Sequence, residues 1–212
     1  MNHWEIDLEI IQIKVGLDNF SYIIFDKRTI KAAVIDPSID IRKTVDFLKS
    51  KNLNLKYIFN THNHSDHIRK NKDLKELYPN SKIVASEKSY RCFRKNIDVK
   101  VNDKSEIKVG NVKLNFLLTP GHSPDGLSII ADNKAIFTGD TLFIDDCGRA
   151  DLLGGNIKDL YLSLQKIKKL SLDLIVYPGH DYASKPFDTL KNQIKTNKTL
   201  LAKNLDEFKK IE

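Results

Sequence analysis

Three apolar segments of this sequence end in the same way, with a glycine followed at once by a histidine or an aspartate. Glycine permits a sharp bend at the end of a strand, so the next side chain can turn over the edge of a sheet. The chain has nine glycines and uses three of them in this position. The fold must therefore display polar side chains at several strand ends. The three segments are 117–122, ending in Gly121-His122, 136–140, ending in Gly139-Asp140, and 175–180, ending in Gly179-His180.

A fourth apolar segment, 55–59, leads into the sequence Thr-His-Asn-His-Ser-Asp-His. His62 and His64 are two residues apart, and in extended backbone such side chains point the same way. Asp66 and His67 follow where the chain is expected to turn into a helix. This spacing offers two pairs of ligands to two adjacent metal ions. Imidazole and carboxylate groups suit zinc or iron, with bonds of about 2.0 to 2.2 Å.

The histidines are concentrated in these segments. A single histidine after a strand is usually a hydrogen-bonded or surface residue, and that explanation would have to hold at each position separately. Five of the six histidines lie in the segments just described, and the aspartates complete the set. The sequence therefore predicts a metal centre. Its candidate ligands are His62, His64, Asp66, His67, His122, Asp140 and His180.

Hydrophobic periodicity changes from two residues to 3.6 residues, first in one half of the chain and then in the other. Each half begins with strands and hairpins and continues with a helix, without a long linker. This order predicts one α/β domain, 1–212, with a two-layered sheet core and helices on the outer faces. The predicted strands are 6–15, 20–25, 31–35, 55–59, 83–85, 107–109, 112–118, 127–131, 135–137 and 172–177. The predicted helices are 41–51, 74–77, a short one around Tyr90, 157–170, and one or two amphipathic helices in the tail 186–212.

Composition excludes several classes of protein. The formal net charge is +7, but the lysines are scattered along the chain, so we interpret them as solvated surface and expect no nucleic-acid partner. Cys92 and Cys147 cannot form a disulfide framework and are expected to be reduced thiols. The sequence has no stretch of about 18 apolar residues and no basic leader, so we expect a cytoplasmic protein without a membrane partner. It makes no prediction of oligomeric state.

The candidate ligands resemble the motifs of the metallo-β-lactamase fold superfamily. The segment 138–149 together with 177–182 is similar to its glyoxalase II (hydroxyacylglutathione hydrolase) and persulfide dioxygenase branches. The resemblance implies an αβ/βα sandwich, in agreement with the order of elements. It also implies that three histidines hold one metal ion, that a second trio holds another, and that Asp140 bridges the two. The first trio is His62, His64 and His122, and the second is Asp66, His67 and His180.

The same resemblance implies two substrate contacts. Arg149 matches a basic residue that faces the glutathione moiety in the glyoxalase II branch, and Tyr182 matches its substrate-binding tyrosine. The alternatives are a surface ion pair for Arg149 and a packing role for Tyr182. Cys147 is expected to be structural. After His180 the sequence is too short for the helical C-terminal domain that supplies glutathione contacts in glyoxalase II, so the thiol carrier is left open.

These observations predict a metal-dependent hydrolase with two divalent ions, zinc being expected and iron or manganese the alternatives. Two such ions lower the pKa of a shared water to about 7 and stabilise the oxyanion. The expected substrate is a small anionic acyl-thiol, and Asp66 and Asp140 are assigned to catalysis. The nearest alternative is a persulfide dioxygenase with one iron on His62, His122 and Asp140. A nuclease is suggested by the net charge alone, and a non-catalytic metal-binding protein is disfavoured by the complete ligand set.

Overall fold

The computed structural model describes residues 7–90 and 94–211. Two six-stranded sheets organise the chain, one from each half. The first contains β1 (Leu8–Val15), β2 (Asn19–Asp26), β3 (Lys31–Ile35), β4 (Asn54–Phe59), β5 (Lys82–Ser86) and β6 (Val99–Val101), in this order across the sheet. Strands β1 to β3 are antiparallel, and β3 to β6 run parallel.

The second sheet has the spatial order β12-β11-β10-β9-β8-β7. Its strands are antiparallel except for the parallel pair β10 and β11. The strands are β7 (Glu106–Val109), β8 (Val112–Leu118), β9 (Leu127–Ala131), β10 (Ala135–Gly139), β11 (Ile175–Pro178) and β12 (Asp188–Thr189).

The helices are α1 (Arg42–Ser50), α2 (Ser65–Ile68), α3 (Asn71–Leu77), α4 (Ile157–Ile167), α5 (Leu190–Thr196), α6 (Lys198–Leu201) and α7 (Leu205–Ile211). Helix α4 begins where the Asn156 side chain accepts hydrogen bonds from the amides of Lys158 and Asp159. Its buried face includes Leu160, Leu164 and Ile167, spaced as one side of a helix.

Three apolar clusters hold the layers together. The central cluster lies between the sheets, where the Tyr22 and Phe137 rings meet edge to face at 5.0 Å. A second cluster packs Val45, Leu48 and other side chains of α1 and α3 on the outer face of the first sheet. A third packs α4 to α7 on the second sheet. The result is an αβ/βα sandwich, which confirms the predicted fold class.

The sequence prediction was wrong at several boundaries. The strand predicted at 172–177 is Ile175–Pro178, and the helix predicted to reach 170 ends at Ile167. The tail holds three short helices and the two-residue strand β12 instead of one or two helices. Asn197 explains the break, because its side chain accepts from the amides of Thr199 and Leu200 and starts a new helix.

Two short strands were not predicted, and one predicted helix falls largely outside the described residues. Strands β6 and β12 have three and two residues, too few to show a periodicity. The short helix expected around Tyr90 falls largely on 91–93, outside the described residues, as does Cys92. Within 7–90 and 94–211, no helix has the length and apolar character required to cross a membrane.

Candidate metal centre

The predicted ligands meet at one end of the sandwich, where four strands stop. His62 follows β4, His122 follows β8, Asp140 follows β10, and His180 follows β11. The nitrogen and oxygen atoms of these residues and their neighbours form overlapping clusters, each with its atoms within 4.8 Å of one another. The clusters are His62, His64 and His122, then His62, His67 and Asp140, then Asp66, His67 and His180.

The glycines of the recurring motif serve two different purposes. Gly121 and Gly139 have φ values of +139° and +51°, in the region that favours glycine, as the bend argument predicts. Gly179 does not have such a backbone. A Cβ atom at Gly179 would instead lie 2.2 Å from Asp140 Oδ1. Glycine is required at position 179 because the backbone there lies against the Asp140 carboxylate, which leaves no space for a side chain.

The first group of donors consists of three imidazoles. His64 Nδ1 and His122 Nε2 lie 3.0 Å apart, and the rings of His62 and His64 have centroids 4.6 Å apart. His62 Nε2 is buried and has no hydrogen-bond partner in the described part of the chain. Three nitrogen atoms therefore converge, as a cation with imidazole ligands requires.

The second group combines a carboxylate with two imidazoles. His67 Nε2 and His180 Nε2 are 3.2 Å apart, and Asp66 Oδ2 lies 3.4 Å from each. Two ring nitrogens at this separation cannot both present lone pairs without a proton or a cation between them. The donors are again those that suit zinc or iron.

Asp140 lies between the two groups. Its Oδ2 atom is 3.6 Å from His122 Nε2 in the first group and 3.2 Å from His180 Nε2 in the second. Its Oδ1 atom is 3.4 Å from His67 Nε2 and has no hydrogen-bond partner among residues 7–90 and 94–211. One carboxylate thus faces both sets of imidazoles, and the donor set fits two cations.

Burial and charge act differently on the imidazoles. Burial lowers the pKa of His62 well below its usual value, which favours the neutral ring that binds metals. Burial also acts to lower the pKa of His180, but hydrogen bonds to Asp140 and Asp66 outweigh it and raise the pKa to about 9. Burial acts to raise the pKa of Asp140, yet nearby His67 and His180 lower it well below its usual value. The carboxylates of Asp66 and Asp140 thus make the surroundings of His180 more anionic than those of His62.

Residues outside the motifs orient the candidate ligands, and no sequence pattern predicted them. Asp36 is buried and accepts from His67 Nδ1 at 3.0 Å, which turns His67 Nε2 to the centre. His62 Nδ1 lies 3.1 Å from Thr61 Oγ1. The Arg149 carbonyl accepts from His122 Nδ1 at 2.8 Å.

The turn between β1 and β2 and the start of β2 support the second group. Asn19 Nδ2 donates to Asp66 Oδ2 at 3.0 Å, and Asp18 Oδ1 lies 3.5 Å from His180 Nδ1. The Phe20 amide donates to the Gly179 carbonyl at 2.8 Å. These bonds join the first sheet to the turn that carries His180.

Arg149 and Tyr182, the two predicted substrate contacts, line one pocket of about 380 Å³ that adjoins His122 and Asp140. The Arg149 guanidinium donates to both oxygens of Asp151, at 2.5 and 2.6 Å, so the alternative ion pair is present. The Tyr182 ring stacks on the His180 ring with centroids 4.9 Å apart. Partial burial and the Asp18 carboxylate raise the pKa of Tyr182 to about 12, so its hydroxyl is neutral. Cys147 is buried in the same pocket.

An αβ/βα sandwich with clustered histidines and aspartates at its strand ends defines a class of metal-binding proteins. Residues 16–180 match the Metallo-beta-lactamase superfamily, and the chain belongs to this superfamily.

Relatives of two kinds are similar to the chain. A hydroxyacylglutathione hydrolase from Pelagibacter ubique is 36% identical over 203 residues, which cover 94% of this chain and 83% of that protein. The human mitochondrial persulfide dioxygenase ETHE1 is 33% identical over 195 residues, covering 91% and 75%. The crystal structure of ETHE1 from Myxococcus xanthus superposes with a TM-score of 0.87 at 30% identity, covering 96% and 89%. The comparisons therefore include both hydrolases and dioxygenases.

Proposed function

We propose that the seven clustered residues bind two divalent cations, zinc being expected, and that the protein is a thioesterase for a small anionic acyl-thiol such as a hydroxyacyl-glutathione. The observation that carries the proposal is the position of Asp140, within 3.6 Å of imidazole nitrogens in both groups. A carboxylate in this position can bridge two ions. Similarity to the hydroxyacylglutathione hydrolase supports the choice of a thioester.

The residues of the chain have separate tasks in this reaction. When bound, two cations supply Lewis acidity and lower the pKa of a shared water to about 7. Asp36 holds His67 with Nε2 toward the centre, and the Arg149 carbonyl does the same for His122. Asp66 and Asp140 are assigned to catalysis, because their oxygens face the centre, where they would hold the cations and orient the attacking water. One cation would be held by His62, His64 and His122, the other by Asp66, His67 and His180, and both by Asp140.

The pocket beside the centre is the proposed site of the substrate. It opens from His122 and Asp140 toward Arg149, so an acyl group at the centre would place its thiol carrier near the guanidinium. A planar guanidinium binds a carboxylate through two parallel hydrogen bonds. We therefore propose that Arg149 binds a carboxylate of the carrier and that the carrier displaces or shares Asp151. A small anionic thioester is the proposed partner, and the proposal involves no nucleic acid or membrane.

A persulfide dioxygenase is the second candidate, and similarity to ETHE1 favours it. That reaction would use one iron on two histidines and one carboxylate, for which His62, His122 and Asp140 are the candidates. Asp140 Oδ2 lies 3.6 Å from His122 Nε2, and Asp140 also shares a cluster with His62. The remaining four residues of the centre would then support this iron site from outside.

Metal content and oxygen use separate the two candidates. We expect protein purified without added metal, then loaded with zinc, to bind two ions per chain and to cleave lactoyl-glutathione under anaerobic conditions. The iron form given glutathione persulfide should consume little oxygen. Elemental analysis, thiol release and an oxygen electrode provide the three measurements. One iron per chain, rapid oxygen uptake with sulfite formation, and no thioester cleavage with any metal would establish the dioxygenase instead.

The role of Arg149 is tested by its replacement with alanine. Loss of a charged hydrogen-bonded pair with the carrier should raise KM for an anionic thioester about tenfold, while kcat changes little. The matched control is Asp151→Ala, which removes the carboxylate that competes with the carrier and should leave KM unchanged or lower. Steady-state kinetics with lactoyl-glutathione give both constants. An unaltered KM in Arg149→Ala would contradict the substrate contact and favour the surface ion pair with Asp151.

A further inference from the structure

One wall of the pocket is a continuous segment, 143–147, that follows the metal-ligand candidate Asp140. Phe143 in this wall meets the His180 ring edge-on at 5.9 Å and the Tyr182 ring at 5.1 Å. The wall therefore contacts both a ligand candidate and a residue of the pocket. Its position determines the space beside the centre.

The backbone of the wall is in an unfavourable conformation. Asp145 has a φ of +63°, in the left-handed region that residues other than glycine rarely adopt. Such a residue keeps this conformation when surrounding contacts hold it in place. In this protein those contacts come from the C-terminal tail.

Helices α5 and α6 supply the contacts. Asn197 Nδ2 donates to the carbonyls of Phe143 at 3.2 Å and Asp146 at 2.9 Å. The Asp145 amide donates to Gln193 Oε1 at 2.8 Å, and Thr196 Oγ1 donates to Asp145 Oδ1 at 3.2 Å. Each bond joins the tail to the wall across about fifty residues of sequence.

Asn197 makes hydrogen bonds both to the wall and within the tail. It is fully buried, and it lies between α5 and α6. Its Oδ1 atom accepts from the amides of Thr199 and Leu200, while its Nδ2 atom holds the wall. Both ends of the amide are thus used, and neither alanine nor aspartate can replace them, because aspartate would set an oxygen against two carbonyls.

We propose that Asn197 is a positioning residue for the substrate pocket, through which the C-terminal helices fix the 143–147 wall and so the fit of the acyl-thiol. The inference rests on the proposed function for the identity of the substrate. The candidate ligands lie at strand ends or in and beside α2, and the groups that orient them are Asp36, Asn19 and the Arg149 carbonyl, none of which belongs to the tail. Loosening the wall should therefore affect substrate binding and leave metal binding intact.

The test compares Asn197→Ala with Asn204→Ala. Asn204 is an exposed residue of the same tail whose side chain accepts from the Glu207 amide at the start of α7, so its loss removes a helix cap without touching the wall. In Asn197→Ala we expect KM for lactoyl-glutathione to rise about tenfold with two bound zinc ions retained, because the two hydrogen bonds that hold the wall are lost. Amides of 143–147 should exchange with deuterium faster. Asn204→Ala should change neither quantity.

A milder variant covers the case in which Asn197→Ala fails to fold. Thr196→Val removes an exposed hydroxyl bonded to Asp145 and should accelerate exchange at 143–147 with a smaller rise in KM. Unchanged exchange and unchanged KM in the folded variants would overturn the positioning role while thioester cleavage by the wild type stands. Absence of thioester cleavage in the wild type would instead refute the proposed function, and the exchange measurement would still decide whether the tail holds the wall.

Discussion

Replacing Asp140 with alanine is expected to empty both metal sites, whereas replacing His180 with alanine should empty one. The reason is that Asp140 faces imidazoles of both groups, at 3.6 and 3.2 Å, and His180 belongs to the second group alone. We expect kcat/KM to fall roughly a thousandfold or more in Asp140→Ala and roughly a hundredfold in His180→Ala. Elemental analysis after zinc loading and kinetics with one thioester measure both effects.

The isosteric variant Asp140→Asn is the control for shape. It keeps one oxygen that can bind a cation but removes the charge that faces His67 and His180. Its metal content should lie between those of the wild type and Asp140→Ala. Circular dichroism and thermal unfolding establish that each variant is folded. Equal metal content and equal residual rates in Asp140→Ala and His180→Ala would contradict the bridging role.

The strand ends and the clustered residues could be predicted from the sequence because both are local patterns. A change of period marks a strand or a helix, and a glycine before His122 or Asp140 marks a strand end. The hairpin of β7 and β8 could also be predicted, because its turn residues Gly110 and Asn111 lie between two runs of alternating apolar residues. The two halves of the sandwich then follow from the order of these elements.

The supporting residues could not be found in this way. Asp36 reaches His67 across 31 residues, and Asn19 reaches Asp66 across 47, so no local spacing connects them. The bond from His122 goes to a main-chain carbonyl, which any residue at 149 would offer. The contact of Asn197 with the pocket wall is of the same kind, since its partners are the carbonyls of Phe143 and Asp146. Orientation of ligands thus depends on tertiary contacts that leave little trace in the sequence.

Replacing Asp36 with asparagine is expected to weaken the second metal site more than the first, because Asp36 contacts His67 directly and His62 only through Thr61. Asp36 is buried and accepts from the Thr61 amide at 2.8 Å, Thr61 Oγ1 at 2.6 Å and His67 Nδ1 at 3.0 Å. An amide at this position donates on one side and carries no charge, so it cannot support all three donors. Loss of such a partner weakens metal affinity by about 10- to 100-fold. Zinc titration against a competing chelator should show one tight and one weakened ion.

The effect of Asp36→Asn on zinc affinity must be separated from its effect on the stability of the fold, because Asp36 also joins β3 to the segment after β4. Asp26→Asn is the matched control: Asp26 is equally buried, accepts from Thr29 Oγ1 and from the Asn111 amide, and touches none of the predicted ligands in the described chain. Both variants should lose about 1 to 3 kcal/mol of unfolding free energy, since each leaves buried donors unsatisfied. Zinc affinity should fall in Asp36→Asn alone. A parallel loss of affinity in Asp26→Asn would mean that general destabilisation, and not orientation of His67 by a carboxylate, determines how the second ion is held.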